Sequence, residues 1–276
     1  MTRIMLVLTL VTGIVGCTGL RGALSDADHV RVRDVQAVYD ADFRAAVAAD
    51  GVGVAPGRFA RTLAVLPSDT SGLSQPVRGF YTLLEGLIYL QTGQLGQAKA
   101  IAPEVTGAAS RLNTGGIADR NAIMAENFAD LVAAREAEAS LAKLSSNSAA
   151  DNARRVAVVR DIQTRTRAVT GRLCKADAGE GDEGKAFVAA YQATALVQAD
   201  RALQRACLPL ATDAALCAGF LGERASLQDA RNLMAAFGGP LADDSSQIAR
   251  LRRDIERELI ANQDGAPLGP AQSPCG

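Results

Sequence analysis

Apolar residues recur at intervals of three and four along most of this chain, the spacing that keeps one face of a helix apolar. From Ser25, whose hydroxyl suits an N-cap, Val32, Val35, Tyr39, Phe43 and Val47 keep that period up to a glycine-rich stretch at 51–57. A short helix is expected over 59–66, closed by Pro67 and a polar loop through Ser74. Val77, Phe80, Leu84, Leu87 and Ile88 predict a helix over 75–92, with a partner from 94 to about 101 after almost no loop. Ile117, Met124, Phe128 and Leu131 predict the longest helix, 117–144, which the serines at 145–148 end. Val156, Val159, Ile162, Val169 and Leu173 mark a helix over 149–173, and Phe187, Tyr191 and Leu203 one over 185–206. The acidic glycine loop 177–184 reverses the chain between them. Ser226 with Asp229 forms a capping-box pattern before a helix that Gly238-Gly239-Pro240 stops, and Ile248, Leu251, Ile255 and Leu259 give the last one. No strand pattern of useful length occurs. The expected fold is all-α: antiparallel helical hairpins forming one domain over 25–262, then a Gly, Pro and Gln tail at 263–276 expected to be disordered.

Composition agrees with that class. Of 276 residues, 48% are hydrophobic but only 4% aromatic, and tryptophan is absent; abundant alanine favours helix over sheet. A formal net charge of −1 provides no field to recruit nucleic acid, and no nucleic-acid partner is expected.

The N-terminal segment breaks the helical pattern. Arg3 precedes an apolar run of about 13 residues, too short for the roughly 20 that a membrane-spanning helix needs and suited to a signal h-region. The run ends in Ile14-Val15-Gly16-Cys17, which resembles the lipobox of bacterial lipoproteins. The resemblance implies removal of residues 1–16, lipid on Cys17, and a tether over 17–24. Thr18 after the cysteine, where aspartate would retain the protein, implies sorting to the outer membrane, periplasmic face; the inner membrane is the alternative. Three lipid chains would anchor the protein stably.

An oxidising compartment makes the other cysteines a disulfide set. Cys207 ends one predicted helix and Cys217 lies in the next, beyond Pro209, which favours a Cys207–Cys217 bond. Cys174 and Cys207 lie at opposite ends of one helix, some 30 Å apart if it is straight, which disfavours their pairing and leaves Cys174–Cys275 as one candidate for a second bond. Zinc is not expected, because the spacings are wrong and His29 is the only histidine.

The segment from Leu84 to Ala98 resembles the centre of a tetratricopeptide repeat. Gly86, Tyr89, Gly93, Leu95 and Ala98 stand at that family's separations. The resemblance implies that Gly86 and Ala98 let two helices approach, Tyr89 packs in the gap, and Gly93 makes the turn. It covers roughly 30 residues, with no second copy at the repeat period of about 34. Lipoproteins with such repeats include assembly factors of outer-membrane complexes and accessory components of periplasmic solute transporters, and neither brings a catalytic residue to a position here.

Little else points to chemistry. Gly179 to Lys185 has the G-x-x-x-x-G-K spacing of a phosphate loop, but Ala186 replaces the Ser or Thr, no strand precedes it, and Glu180, Asp182 and Glu183 would repel phosphate. A lone His29 among Asp26, Asp28 and Arg31 offers no dyad. Arg154, Arg165 and Arg172 share one line of their helix and are expected to form a solvated face. No catalytic residue, cofactor or metal is assigned. The expected role is a membrane-anchored scaffold or adaptor for another cell-envelope protein; the alternative is a solute-binding or transporter-accessory lipoprotein with an enclosed cavity.

Overall fold

Ser25 begins the structure as a helix cap: its hydroxyl accepts from the Asp28 N–H at 3.2 Å. The computed structural model describes residues 25–50, 55–112, 120–144, 148–176, 182–207, 225–237, 257 and 269–275. Every regular element among them is helical. Helix α1, Asp26–Asp50, buries Val32, Val35, Tyr39 and Ala46, with Phe43 half-buried; the side chain of Val47 lies outside the described set. Tyr39 stacks on Phe59 (ring centroids 5.4 Å apart) and accepts from Gln91 Nε2 at 2.8 Å, tying α1 to the hairpin that follows. A 3-10 turn, Pro56–Phe59, leads into α2, Ala60–Val65. No side chain of its own caps α2. Asp42 of α1 does so from a distance, accepting from the Thr62 N–H at 3.0 Å, Thr62 Oγ1 at 2.8 Å and Arg61 Nε at 2.7 Å. Burial raises the Asp42 pKa, but the hydrogen bonds from Thr62 and Arg61 outweigh it and the net shift is downward.

Helices α3, Gln75–Gln91, and α4, Leu95–Leu112, form an antiparallel hairpin. Its turn is a Schellman motif: Gly93 has φ +71°, the Gln94 N–H reaches the Tyr89 carbonyl at 2.9 Å, and the Gly93 N–H the Leu90 carbonyl at 3.3 Å. Helix α4 continues eleven residues past the expected end near 101, straight through Pro103. A mid-helix proline costs about 3 kcal/mol. Here Pro103 sits on the exposed side, while Ala102, Val105, Ala108 and Leu112 form a buried stripe that outweighs the break.

The helix expected over 117–144 is two: α5, Arg120–Glu126, and α6, Phe128–Lys143. Asn127 separates them with φ −97° and ψ 2°, and its Nδ2 donates to the Ile123 carbonyl at 2.8 Å. A side chain bonding its own backbone competes with the helical ladder. Met124, Phe128 and Leu131 face inward as expected, and Ile117 lies outside the described residues. The longest described helix is instead α7, Ala149–Lys175, whose cap Ser148 accepts from the Asp151 N–H. Val156, Val159, Ile162, Val169 and Leu173 form its buried stripe.

Helix α8, Asp182–Cys207, is buried on nearly every side and packs against α5, α6, α7 and the final described helix α9, Ala225–Phe237. Its Ala189, Ala190, Ala193, Ala195, Ala199 and Ala202 let these neighbours approach closely. Basic residues tie off the helix ends around it: Arg155 donates to the Leu144 carbonyl at the end of α6, and Lys185 Nζ to the Ala176 carbonyl at the end of α7, at 2.9 Å. The lysine of the apparent phosphate loop therefore serves a helix terminus. Helix α9 begins at Ala225, so Ser226 is inside it rather than capping it, and its hydroxyl accepts from Gln163 Nε2 at 3.1 Å. The helix expected around Ile248 to Leu259 lies outside the described residues except Arg257, which is helical.

Part of the expected tail, residues 269–275, is among the described residues. Residues 269–275 lie against α9: Gln228 Nε2 donates to the Pro270 carbonyl at 3.2 Å, Arg231 to Gly269 at 3.0 Å, and the Gln272 N–H to Asn232 at 2.9 Å. Cys275 is disulfide-bonded to Cys174 (Cα–Cα 5.4 Å). A covalent tie offsets the ordering entropy that composition alone would leave unopposed.

Candidate functional site

Where α1 crosses the start of α3, the side chains leave an open groove. Val35 and Val38 of α1, Val65 at the end of α2, Pro67 just after it, and Leu73 form its apolar wall; Tyr81 of α3 closes one side, and Arg31 and Asp34 stand on the rim. Its volume is about 480 Å³. Val65 is one of the few large apolar side chains left exposed, at 47%. Tyr81 is only 6% exposed, yet its hydroxyl makes no hydrogen bond among the described residues. Burial raises the Tyr81 pKa; Arg31 opposes this, and Asp28 and Asp34 reinforce it, so the phenol remains a donor at neutral pH. On the rim, half-exposed Arg31 sits 3.6 Å from buried Asp28, and Asp34 lies 3.4 Å from Arg33 in a largely exposed pair that holds Asp34 only weakly. The groove thus offers an apolar floor, one unused donor and two opposite charges.

The repeat-pattern residues come together around the hairpin, with unequal parts. Ala98 is fully buried and Leu95 half-buried. Gly86 has no room for a side chain, since a Cβ there would lie 2.8 Å from Phe128 Cζ and 2.9 Å from Val105 Cγ2. Tyr89 is only half-buried, and its hydroxyl donates to Glu85 of the same helix at 2.8 Å. The aromatic that fills the gap is Phe128, from α6. Tyr89→Ala is accordingly expected to cost about 1–2 kcal/mol in chemical denaturation, short of the 3–5 typical of a fully buried aromatic.

The expected disulfides and lipid site divide by position. Cys174 and Cys275 are joined. Cys207 is also disulfide-bonded, with its partner outside the described residues, as are Cys217 and Cys17 themselves. The arginine line is only partly a solvated face. Arg154 is exposed, but Arg165 lies 3.3 Å from Asp130, and Arg172 pairs with Asp130 while donating to Asn127 at 2.8 Å. Two arginines therefore clamp α7 to the α5–α6 bend. Nothing in their helical spacing could show this, because Asp130 comes from another helix.

The pKa of Glu138 on α6 is raised by burial, against the opposing pull of Arg135, which also stands 6.0 Å from the Tyr191 ring centre. One of its carboxylate oxygens is buried with no partner. A raised folded-state pKa means the folded chain holds this proton more tightly than the unfolded chain. Its contribution to stability therefore falls as pH rises from the unfolded carboxyl range through the folded value. Glu138→Gln is expected to flatten this part of the stability profile from about pH 4 upward; an unchanged slope in urea melts would contradict it. Asp229, on α9, is also raised by burial. Among the described residues no three His, Cys, Asp or Glu side chains gather to hold a metal, and no helix is long and apolar enough to cross a membrane.

No protein-family model, curated protein or solved structure matches this chain. The groove was missed by the sequence because its wall combines α1, the end of α2, the loop after it and α3; the available signals were Tyr81, off the main apolar stripe, Val65 at the end of the short helix, and the apolar Pro67 and Leu73 in the polar connection that follows.

Proposed function

We propose that this protein is a non-enzymatic, lipid-anchored scaffold or adaptor on the periplasmic face of the outer membrane, docking another cell-envelope protein in the groove between α1 and α3. The observation that carries this reading is the openness of the groove. Its apolar floor and charged rim suit a partner segment that inserts an apolar side chain, presents an acceptor to Tyr81, and offers charges complementary to Arg31 and Asp34. The address comes from the lipobox-like Ile14 to Cys17. The hairpin turn at Gly93 and the close approach at Gly86 support a tetratricopeptide-repeat-like unit, a type that commonly presents surfaces.

The test is site-specific photo-crosslinking in intact cells. A probe at Val65 should capture one defined envelope protein, and a probe at exposed Arg160 on α7 should not. Val38→Asp should reduce the Val65 adduct by about tenfold or more, because it places an unpaired charge in a desolvated contact. Acylated Cys17 should appear at the mature N-terminus by mass spectrometry. Recovery of a stoichiometric small molecule, with no protein adduct at Val65, would favour the solute-binding alternative instead.

A further inference from the structure

At the open end of the α3–α4 hairpin, Ser74 Oγ, Arg78 Nε and Arg111 Nε are fully buried atoms with no hydrogen-bond partner among the described residues. Ser74 is the residue before α3, and its side chain makes no cap. Arg78 stands one turn on, its N–H bonded to the Ser74 carbonyl at 3.0 Å, so the two side chains share a face. Arg111 comes from the last turn of α4. Its Cβ lies 3.4 Å from where a side chain on Gly79 would begin, which puts it across the hairpin from Arg78 and Gly79. Further along the same rows, Thr82 of α3 donates to Glu104 of α4 at 3.4 Å, so the face carrying 74, 78 and 82 meets the face carrying 104 and 111.

Among the described residues neither arginine has an ion pair or hydrogen bond from its side chain. Glu104 is two turns from Arg111, about 10 Å along the helix, and is occupied by Thr82. Other partly buried arginines have a carboxylate, Arg135 with Glu138, and Arg165 and Arg172 with Asp130. A guanidinium without a counter-charge and a buried N–H without an acceptor are both unfavourable. An anion relieves both.

We propose that Ser74, Arg78 and Arg111 form an oxyanion site that takes a phosphate group. Two forked guanidinium groups and a hydroxyl, from two helices, offer more donors and more directions than the two coplanar oxygens of a carboxylate accept. The positive end of the α3 dipole adds to the attraction. The same chemistry is presented by free phosphate and by the phosphodiester of a lipid headgroup.

Calorimetric titration of the full chain distinguishes these sources, using inorganic phosphate, soluble dihexanoyl-phosphatidylglycerol below its micelle threshold, and acetate as the control. Saturable one-site binding of phosphate or of the phosphodiester is expected, the better ligand identifying the source. Arg78→Gln and Arg111→Gln should each weaken it about tenfold or more, the usual effect of losing a charge-assisted hydrogen bond. Arg78→Lys and Arg111→Lys, which keep the charge but lose the fork, should fall between; these variants decide the matter if the Gln variants lose helicity by circular dichroism. Absence of saturable binding by both phosphates, equal binding of acetate, or undiminished binding in the variants would overturn the proposal.

Discussion

Replacing Cys174 and Cys275 together by serine is expected to lower the unfolding free energy by ~4–5 kcal/mol. The bond closes a loop with a sequence separation of 101, and a cross-link of about that length removes the most conformational entropy from the unfolded chain. The same substitution releases residues 269–275 from α9, where only Gln228, Arg231 and Asn232 would still hold them. Two observations should accompany each other: a large drop in the urea midpoint, and faster amide exchange on the outer face of α9. A midpoint unchanged within error would show that the bond does not constrain the unfolded chain. The non-reduced wild-type protein should also run as a more compact species than the reduced one on a denaturing gel.

Phe128→Ala should cost about 3–5 kcal/mol, the loss typical of a buried aromatic. Phe128 is wholly buried, and its ring reaches from α6 to Gly86 on α3, beside Val105 of α4. It therefore holds three helices in register. Gly86→Ala alone gains about 1 kcal/mol of helix propensity but forces its Cβ to within 2.8 Å of the Phe128 ring, and overpacking of that kind costs about 1–3 kcal/mol. In the Phe128→Ala background the clash with the ring is gone while Val105 Cγ2 still stands 2.9 Å from the new methyl, so the same substitution should cost less than in the wild type. The size of that reduction is the critical result, measured as a double-mutant cycle in urea. Strict additivity would mean that Gly86 and Phe128 do not share this contact.

The helices were legible wherever a one-sided apolar stripe coincided with a strong end signal. Ser25 caps α1, Ser148 caps α7 and Gly93 turns α3 into α4, as local sequence requires. The failures are physical and specific. Pro103 signals a helix end, yet the buried stripe from Ala102 to Leu112 carries α4 past it. Asn127 gives only a weak local warning, yet its side chain bonds the Ile123 carbonyl and Arg172, and the expected single helix becomes two. The tail composition suggests disorder, and a bond to a residue 101 positions away fastens its end.

Sequence by itself determined the helical class, most helix positions and the residues of the close hairpin, because these depend on period and small residues; it offered Cys174–Cys275 as a candidate pair, which the structure joins. Only the tertiary structure decided which residue fills the space at Gly86, how Arg165 and Arg172 share Asp130, and that Val38, Val65, Leu73 and Tyr81 line one groove. Those relations join side chains from different helices. Their contacts are fixed by how the helices cross, which no spacing along one helix can encode.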